Sequence, residues 1–160
     1  MDHFPRLRRI KQQLNEEEID EVLSSSLRGV LSLNSPLGFP YIAPLNHYYE
    51  KESKRLYFHG AKFGYRLDCL KEDNRASYVA ILDKGNDEKI WAKNFHSVIA
   101  YGRIHILEEE TKKKEIILSL CHKFTTDEEY IDNEIASSFN NTLFFYLEIE
   151  HVEGKRVNES

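Results

Sequence analysis

The chain alternates between short segments whose apolar residues recur with helical spacing and longer segments with the period of two that is typical of β-strands. The first segment predicts a helix, because Asn15 and Glu18 have the spacing of a capping box. Leu14 and Ile19 occupy the positions of a hydrophobic staple around it. A narrow apolar stripe follows, and the serines at 24–26 end the predicted helix.

Six segments have strand character, at residues 30–33, 39–49, 56–59, 76–82, 95–107 and 143–152. The first three are joined by polar turns, which predicts an antiparallel meander. Pro40 and Pro44 interrupt the second segment. Because proline cannot donate to a sheet ladder, we expect part of this strand to lie at an edge or a bulge. Gly102 is a candidate bend in the fifth strand.

Two more helices are predicted, at about 64–71 and after a cap at Thr111, and residues 127–138 are ambiguous between a short helix and a loop. Residues 83–93 are predicted to be a polar loop, and 1–10 and 154–160 to be tails. Six antiparallel strands with flanking helices favour a closed or partly closed barrel, because closure leaves few exposed strand edges. We therefore expect a mainly β, six-stranded barrel in a single domain that spans 1–160.

The composition and the missing motifs argue against several classes of function. The chain has 160 residues and a formal net charge of -5, which argues against a non-specific nucleic-acid binder. No apolar run approaches a membrane span, and no export signal opens the sequence. Its two cysteines are too few for a disulfide framework, so a cytoplasmic protein is expected. Motifs for a phosphate loop, a dinucleotide fold, a serine hydrolase and a zinc peptidase are missing, and no metal site is expected.

The most informative stretch leaves the third strand and enters the second helix. Gly60, Ala61 and Gly64 are small enough to let the backbone approach a ligand. Lys62 and Arg66 are four residues apart, so both can face one anion at the start of the helix. This pattern predicts a phosphate cradle. A glycine turn with two solvated basic side chains remains the alternative.

The order and spacing of several short motifs resemble those of the pyridoxamine 5′-phosphate oxidase-like flavoproteins with a split β-barrel, and most closely their nitroimidazole-resistance branch. The motifs are Arg28-Gly29-Val30-Leu31, Gly38-Phe39-Pro40-Tyr41, Pro44-Leu45-Asn46, Tyr57-Phe58-His59-Gly60-Ala61 with Gly64 and Arg66, Ser97-Val98-Ile99 with Gly102-Arg103, Ile149-Glu150-His151, and Gly154-Lys155. The resemblance covers nearly the whole chain and implies a six-stranded split barrel that binds FMN.

The resemblance also implies which residues contact the flavin. The implied set is Pro44, Leu45, Asn46, Phe58, His59, Gly60, Ala61, Lys62, Gly64, Arg66 and Ser97. Within it, Lys62, Gly64 and Arg66 would hold the FMN phosphate. The strand that carries Pro44 to Asn46 would lie along the isoalloxazine, which Phe58 and His59 would flank. Ser97 would add a polar contact from the long strand.

The activity that the resemblance implies is the transfer of electrons from reduced FMN to a small acceptor such as a nitroheterocycle or quinone. His59 is the candidate catalytic residue, and a histidine bonded to nearby backbone is an equally good interpretation of it. A homodimer with flavin sites at its interface is implied. Trp91, Phe95 and His96 are candidates to reach the partner's flavin, and aromatic side chains packed in the interface are the favoured alternative. The sequence departs from the family pattern at Tyr65, where a histidine is expected, and at His47, where a tyrosine is commoner. These departures leave the residues of the substrate pocket unassigned. The alternatives are a non-catalytic flavin-binding or redox-sensing module, and a split barrel that binds haem or a deazaflavin.

Overall fold

A computed structural model describes residues 4–87 and 92–158. The helices are α1 (Glu16–Ser25), α2 (Tyr65–Glu72), α3 (Glu110–His122) and α4 (Glu128–Ser138), with short 3₁₀ helices at Ile10–Gln12 and Phe139–Asn141. The strands are β1 (Arg28–Leu33), β2 (Tyr41–Asn46), β3 (Tyr48–Glu50), β4 (Arg55–Ala61), β5 (Arg75–Asp87), β6 (Ala92–Ile106) and β7 (Thr142–Asn158).

The described strands form one antiparallel sheet in the order β2-β1-β5-β6-β7-β4-β3. The sheet curls into a half-barrel, and β2 approaches β4 across the seam between its two edges. This confirms the split-barrel fold class, with seven strands where the sequence predicts six. The difference arises because the second predicted strand divides at His47 into β2 and β3. β2 carries Pro44 and lies at a sheet edge, which is where proline is tolerated in a sheet.

Both faces of the sheet carry a hydrophobic core near β4. On the inner face, Phe58 of β4 stacks on its register partner Phe145 of β7, with ring centroids 5.3 Å apart. On the outer face, Tyr57 is completely buried under Ile116 and Leu120 of α3. Side chains alternate between the two faces along a strand, so consecutive residues of β4 enter different cores.

The capping box predicted for α1 is confirmed. The Asn15 side chain accepts from the Glu18 backbone N–H at 2.9 Å, and the Glu18 carboxylate accepts from the Asn15 N–H at 2.9 Å. Leu14 and Ile19 join the inner core and pack against Gly154 of β7, where an added Cβ would lie 2.7 Å from Ile19. A glycine is therefore required where the N-terminal segment crosses the strand.

Several predicted boundaries were wrong. Residues 154–158 are not a tail but continue β7, because pairing with β6 extends to Asn158 and supplies hydrogen-bond partners that the sequence pattern does not reveal. β5 and β6 extend into the predicted 83–93 loop, of which 88–91 lie outside the described residues. α3 starts at Glu110 without a side-chain cap from Thr111, and the ambiguous 127–138 segment contains α4. Gly102 does lie at a register shift between β6 and β7. Within the described ranges, no helix is long and apolar enough to cross a bilayer.

Candidate functional site

Arg66, in the first turn of α2, has two guanidinium nitrogens without a hydrogen-bond partner among the described residues. The Arg66 side chain lies against Gly60, where an added Cβ would come within 2.7 Å of its Nη1 atom. Its guanidinium carbon lies 5.2 Å from the centroid of the Phe145 ring. Nε and Nη1 are buried without a hydrogen-bond partner among the described residues. Buried guanidinium donors are almost always satisfied, so these two atoms point to a missing acceptor.

The rest of the turn suits an anion. Gly64 caps α2 with a φ of 124°, a conformation that disfavours residues with a Cβ. The Leu67 N–H donates to the Gly64 carbonyl at 3.0 Å, so the Tyr65 and Arg66 amides are the first-turn donors that could hold an anion. Lys62 is exposed and donates to the backbone carbonyl of Asn140, a neutral acceptor that leaves the ammonium charge uncompensated. Among the described residues, no carboxylate forms an ion pair with Lys62 or Arg66. The geometry therefore fits the predicted phosphate cradle, whose occupant stays a prediction.

A second group of predicted residues lies on the outer face of the sheet. Pro44 of β2, Val30 of β1, Val79 of β5 and Ile99 of β6 are register partners from strand to strand and form one row. The row ends at Pro44 in β2 and at Ile99 in β6. Asn46 lies two positions after Pro44 and Ser97 two positions before Ile99, so both side chains are on the same face as the row. Together with the exposed Ile42 and Ile81, these residues make a mostly apolar surface that we call the outer platform. The Asn46 Oδ1 atom accepts from Arg28 Nε at 3.2 Å.

Within one chain, the outer platform and the turn at residues 60–66, which we call the phosphate turn, lie at opposite ends of β7. Ser97 pairs with Lys155 of β7, whereas Gly60 pairs with Leu143 at the other end of the same strand. The 12 positions between these two partners correspond to about 40 Å of strand. β2 lies between the groups, since it belongs to the platform and also contacts β4 across the seam.

His59 is exposed on the outer side of β4, where its register partner is Phe144. Alternation along the strand places it on the opposite face from the side of Gly60 that meets Arg66. Desolvation by the surrounding protein, followed by the Arg66 charge, lowers the pKa of His59 below the usual 6.5. The imidazole is therefore mostly neutral at pH 7, which suits hydrogen bonding better than proton donation.

The remaining predicted residues fall in several environments. The Phe58 ring is completely buried between Tyr78 and Phe145, so contact with an external ligand is left to its backbone. Leu45 packs against the inner core, and Ala61 lies exposed at the end of β4. Trp91 lies outside the described residues.

The two departures from the family pattern have structural roles. His47 does not face a substrate pocket: it is completely buried, with Nε2 2.8 Å from the Leu23 carbonyl and Nδ1 2.6 Å from the Tyr78 hydroxyl. The Tyr65 hydroxyl lies 2.5 Å from Ser35 Oγ, and its ring meets Tyr41 edge-on at 5.8 Å. Tyr65 thus ties α2 to the β1–β2 loop beside the phosphate turn.

A feature that sequence reasoning missed is a cavity of about 350 Å³ at the end of the outer platform. Phe4 lines it with Ser32, Ser77 and Tyr101, and stacks on His151 with centroids 4.9 Å apart. No strand or helix pattern marks Phe4, because its role depends on where the N-terminal segment crosses the sheet.

Comparison with known proteins gives the family. A family profile described as pyridoxamine 5′-phosphate oxidase matches residues 15–156. No curated protein sequence matches the chain significantly.

Solved structures with low sequence identity share the fold. A putative 5-nitroimidazole antibiotic resistance protein from Bacteroides thetaiotaomicron has a TM-score of 0.73 at 16% identity, with 91% of this chain and 87% of that chain covered. A FAD-binding protein from Mesorhizobium loti has a TM-score of 0.67 at 20% identity, with coverage of 91% and 97%. A FAD and heme binding protein from Mycobacterium smegmatis has a TM-score of 0.70 at 17% identity, with coverage of 93% and 74%. The profile match spans most of the chain, and the protein therefore belongs to the pyridoxamine 5′-phosphate oxidase family.

Proposed function

We propose that this protein is a flavoprotein that binds riboflavin phosphate, the FMN group, through the turn between β4 and α2. The observation that carries the proposal is the Arg66 guanidinium, with two buried donor atoms unpaired beside Gly60. Lys62 and the first amides of α2 would complete the phosphate contacts. The net charge of -5 repels a phosphate dianion at long range, so these local donors have to outweigh the overall field.

The proposed activity is the transfer of electrons from the reduced flavin to a small acceptor such as a nitroheterocycle or quinone. The flavin supplies the electron chemistry when bound. The protein binds and orients it, with Pro44, Leu45 and Asn46 along the ring. His59 would hydrogen-bond the acceptor as a neutral imidazole. Family membership and the FAD-binding neighbours support the cofactor class.

The proposed oligomeric state is a homodimer. The outer platform exposes 64% of Ile42, 56% of Ile81 and 36% of Ile99, a set of apolar residues that favours burial against a second copy. A dimer would also unite Ser97 of one subunit with Arg66 of the other at one flavin. In a sedimentation experiment, we expect wild-type dimers and an Ile81→Glu variant that dissociates.

The phosphate assignment is tested by calorimetric titration of the apo protein with FMN and riboflavin. Loss of charge-assisted hydrogen bonds costs about 1.5–3 kcal/mol, so Arg66→Ala is expected to weaken FMN binding by roughly 10- to 150-fold. Riboflavin lacks the phosphate, and its affinity should change little. Arg75→Ala is the matched control, because Arg75 is an exposed arginine already paired with Asp73 at 2.6 Å. Full FMN affinity in Arg66→Ala would contradict the assignment.

The second candidate is haem binding, which the exposed, neutral imidazole of His59 favours because that is the metal-ligating form of histidine. One structural neighbour is described as binding both FAD and heme. An absorption spectrum separates the candidates: oxidised flavin absorbs in the near-ultraviolet and blue, and haem gives a Soret band. A flavin spectrum without turnover for any donor and acceptor would indicate a non-catalytic flavin module.

A further inference from the structure

The cavity at the end of the outer platform, which we call the Phe4 cavity, is lined by a row of hydroxyl groups. Ser32 of β1, Ser77 of β5 and Tyr101 of β6 are register partners from strand to strand, and all three line the cavity. None of the three hydroxyls has a hydrogen-bond partner in the part of the chain that the structure describes. They can therefore donate to a ligand without giving up a bond within the protein.

Two arginines stand beside this row. Arg75 and Arg103 are register partners on β5 and β6, and both line the cavity. Arg75 bonds Asp73 through Nε and Nη2. Arg103 bonds Glu150 through Nε and Asn74 through Nη1. One nitrogen of each guanidinium, Nη1 of Arg75 and Nη2 of Arg103, has no bond to another described residue and remains available to an acceptor.

The charges around the cavity favour an anion. Like charges at opposed positions of neighbouring strands repel each other, so an anion between Arg75 and Arg103 would be stabilised by both. Among the described residues that line the cavity, Glu150 is the only acid, and its carboxylate lies 3.2 Å from Arg103 Nε. Asp73 holds Arg75 from outside the lining. The lining itself therefore carries two cations and one anion, which suits a ligand with a single negative charge.

Aromatic side chains form the apolar part of the lining. The Phe4 and Tyr101 ring centroids lie 5.6 Å apart at an angle of 44°, and both residues line the cavity. His151 holds the Phe4 ring in place, because the two rings stack with their planes 6° apart. Aromatic rings attract one another beyond the area that they bury, so these walls suit a ligand with a flat ring. The cavity of about 350 Å³ is large enough for a small molecule, since such sites measure about 300–1,000 Å³.

We propose that the Phe4 cavity is a second ligand site, which binds a small aromatic carboxylate. The carboxylate bonds to Arg75 and Arg103, and the aromatic ring packs against Phe4 and Tyr101. The serine hydroxyls of the row donate further hydrogen bonds to its oxygens.

This site is separate from the phosphate turn within one chain. Tyr101 pairs with His151 of β7, whereas Gly60 pairs with Leu143. The eight positions between these two partners correspond to about 27 Å of strand. The proposal therefore stands or falls independently of the proposed flavin function.

The test is calorimetric titration of the purified protein with benzoate, benzamide and acetate. Benzamide keeps the ring without the charge, and acetate keeps the charge without the ring. We expect benzoate to bind about tenfold more tightly than either, because charge-assisted hydrogen bonds and aromatic contacts both contribute to its affinity.

Variants of the lining locate the site. Arg103→Ala should weaken benzoate binding roughly fivefold or more. Glu150→Gln removes the competing carboxylate and should strengthen it by roughly two- to fivefold. Arg156→Ala is the matched control, because the Arg156 side chain is 45% exposed and paired with Glu18, much as that of Arg103 is 48% exposed and paired with Glu150. Its benzoate affinity should equal that of wild type.

A further variant fills the cavity. Ser77→Leu places a larger side chain in the centre of the hydroxyl row and should abolish benzoate binding. Ser77 is half-buried on the outer face, so we expect the folded protein to keep a melting temperature close to that of wild type.

Other outcomes overturn the site. Wild-type protein that does not bind benzoate would do so, as would equal affinities for benzoate and benzamide. Unchanged benzoate affinity in Ser77→Leu would place the binding elsewhere. If Arg103→Ala does not fold, Glu150→Gln decides, and an affinity that stays the same or falls contradicts the charge argument. Sedimentation of wild-type dimers that bind benzoate only as they dissociate would show that a second copy fills the cavity.

Discussion

Acidification should destabilise this protein through one histidine in its interior. His47 is completely buried between α1 and β5. The Leu23 carbonyl lies 2.8 Å from Nε2 and accepts from it, and Nδ1 lies 2.6 Å from the Tyr78 hydroxyl, which also lies within donating distance of the Leu45 carbonyl at 3.1 Å. Burial, followed by the nearby Lys123 charge, lowers the pKa of His47 from 6.5 to about 4.

The magnitude follows from linkage between protonation and folding. Above pH 6.5, His47 is neutral in both states and contributes no pH dependence. As the pH falls from 6.5 toward 4, the unfolded chain binds a proton that the folded protein does not, so the free energy of unfolding decreases. A shift of about 2.5 pKa units, at 1.36 kcal/mol per unit, corresponds to about 3 kcal/mol lost by pH 4.

The assay is urea unfolding at pH 7 and pH 4 for wild type and His47→Gln. Glutamine does not titrate, so the variant should lose about 3 kcal/mol less than wild type between the two pH values. It should be less stable than wild type at pH 7, because the flexible glutamine side chain loses more conformational freedom than the imidazole ring when it is held in this buried position. Comparing the pH-dependent losses cancels the contributions of carboxylates and other histidines. Equal losses in the two proteins would refute the reasoning.

Three other predictions concern the scaffold. Gly102→Ala should prevent folding or lower the melting temperature strongly, because the new Cβ would lie 1.9 Å from the Glu148 carbonyl oxygen; a melting temperature close to that of wild type would contradict this geometry. Asn15→Ala removes a side-chain acceptor from the capping box and should cost about 1 kcal/mol in urea unfolding, with full stability as the contrary result. Burial lowers the pKa of Lys123 to about 8, so wild-type stability should rise between pH 8 and pH 10 as the folded amine loses its proton before the unfolded one. Lys123→Met should remove that rise, and an unchanged rise would assign it to another group.

The local features of the sequence predicted much of the fold. A few adjacent residues and their backbone chemistry were enough to predict three features: the capping box of α1, the edge position of Pro44 and the irregularity at Gly102. Boundaries at the end of the chain were harder to predict. Residues 154–158 look polar and tail-like, yet β7 continues through them because β6 offers a long pairing edge.

The candidate site divides in the same way. The glycines and basic residues of the phosphate turn are close in sequence, so their spacing alone indicates an anion site. His47 illustrates the opposite case, since its neighbours Leu23 and Tyr78 are 24 and 31 positions away along the chain. Its burial could not be deduced from alternation in β2, because the strand breaks at that residue.

The sequence by itself determined an antiparallel, closed or partly closed barrel and the glycine-lined turn, because these depend on local periodicity and turn chemistry. The split-barrel family was implied by the resemblance of several short motifs, in their order and spacing, to those of known flavoproteins. Only the tertiary structure decided that Arg66 has buried donors without a partner among the described residues, that His47 is buried, and that the strand partners of Ser97 and Gly60 lie far apart along β7. The physical reason is that burial and hydrogen-bond partners come from residues distant in the chain, which meet only when the sheet curls and brings its edges together.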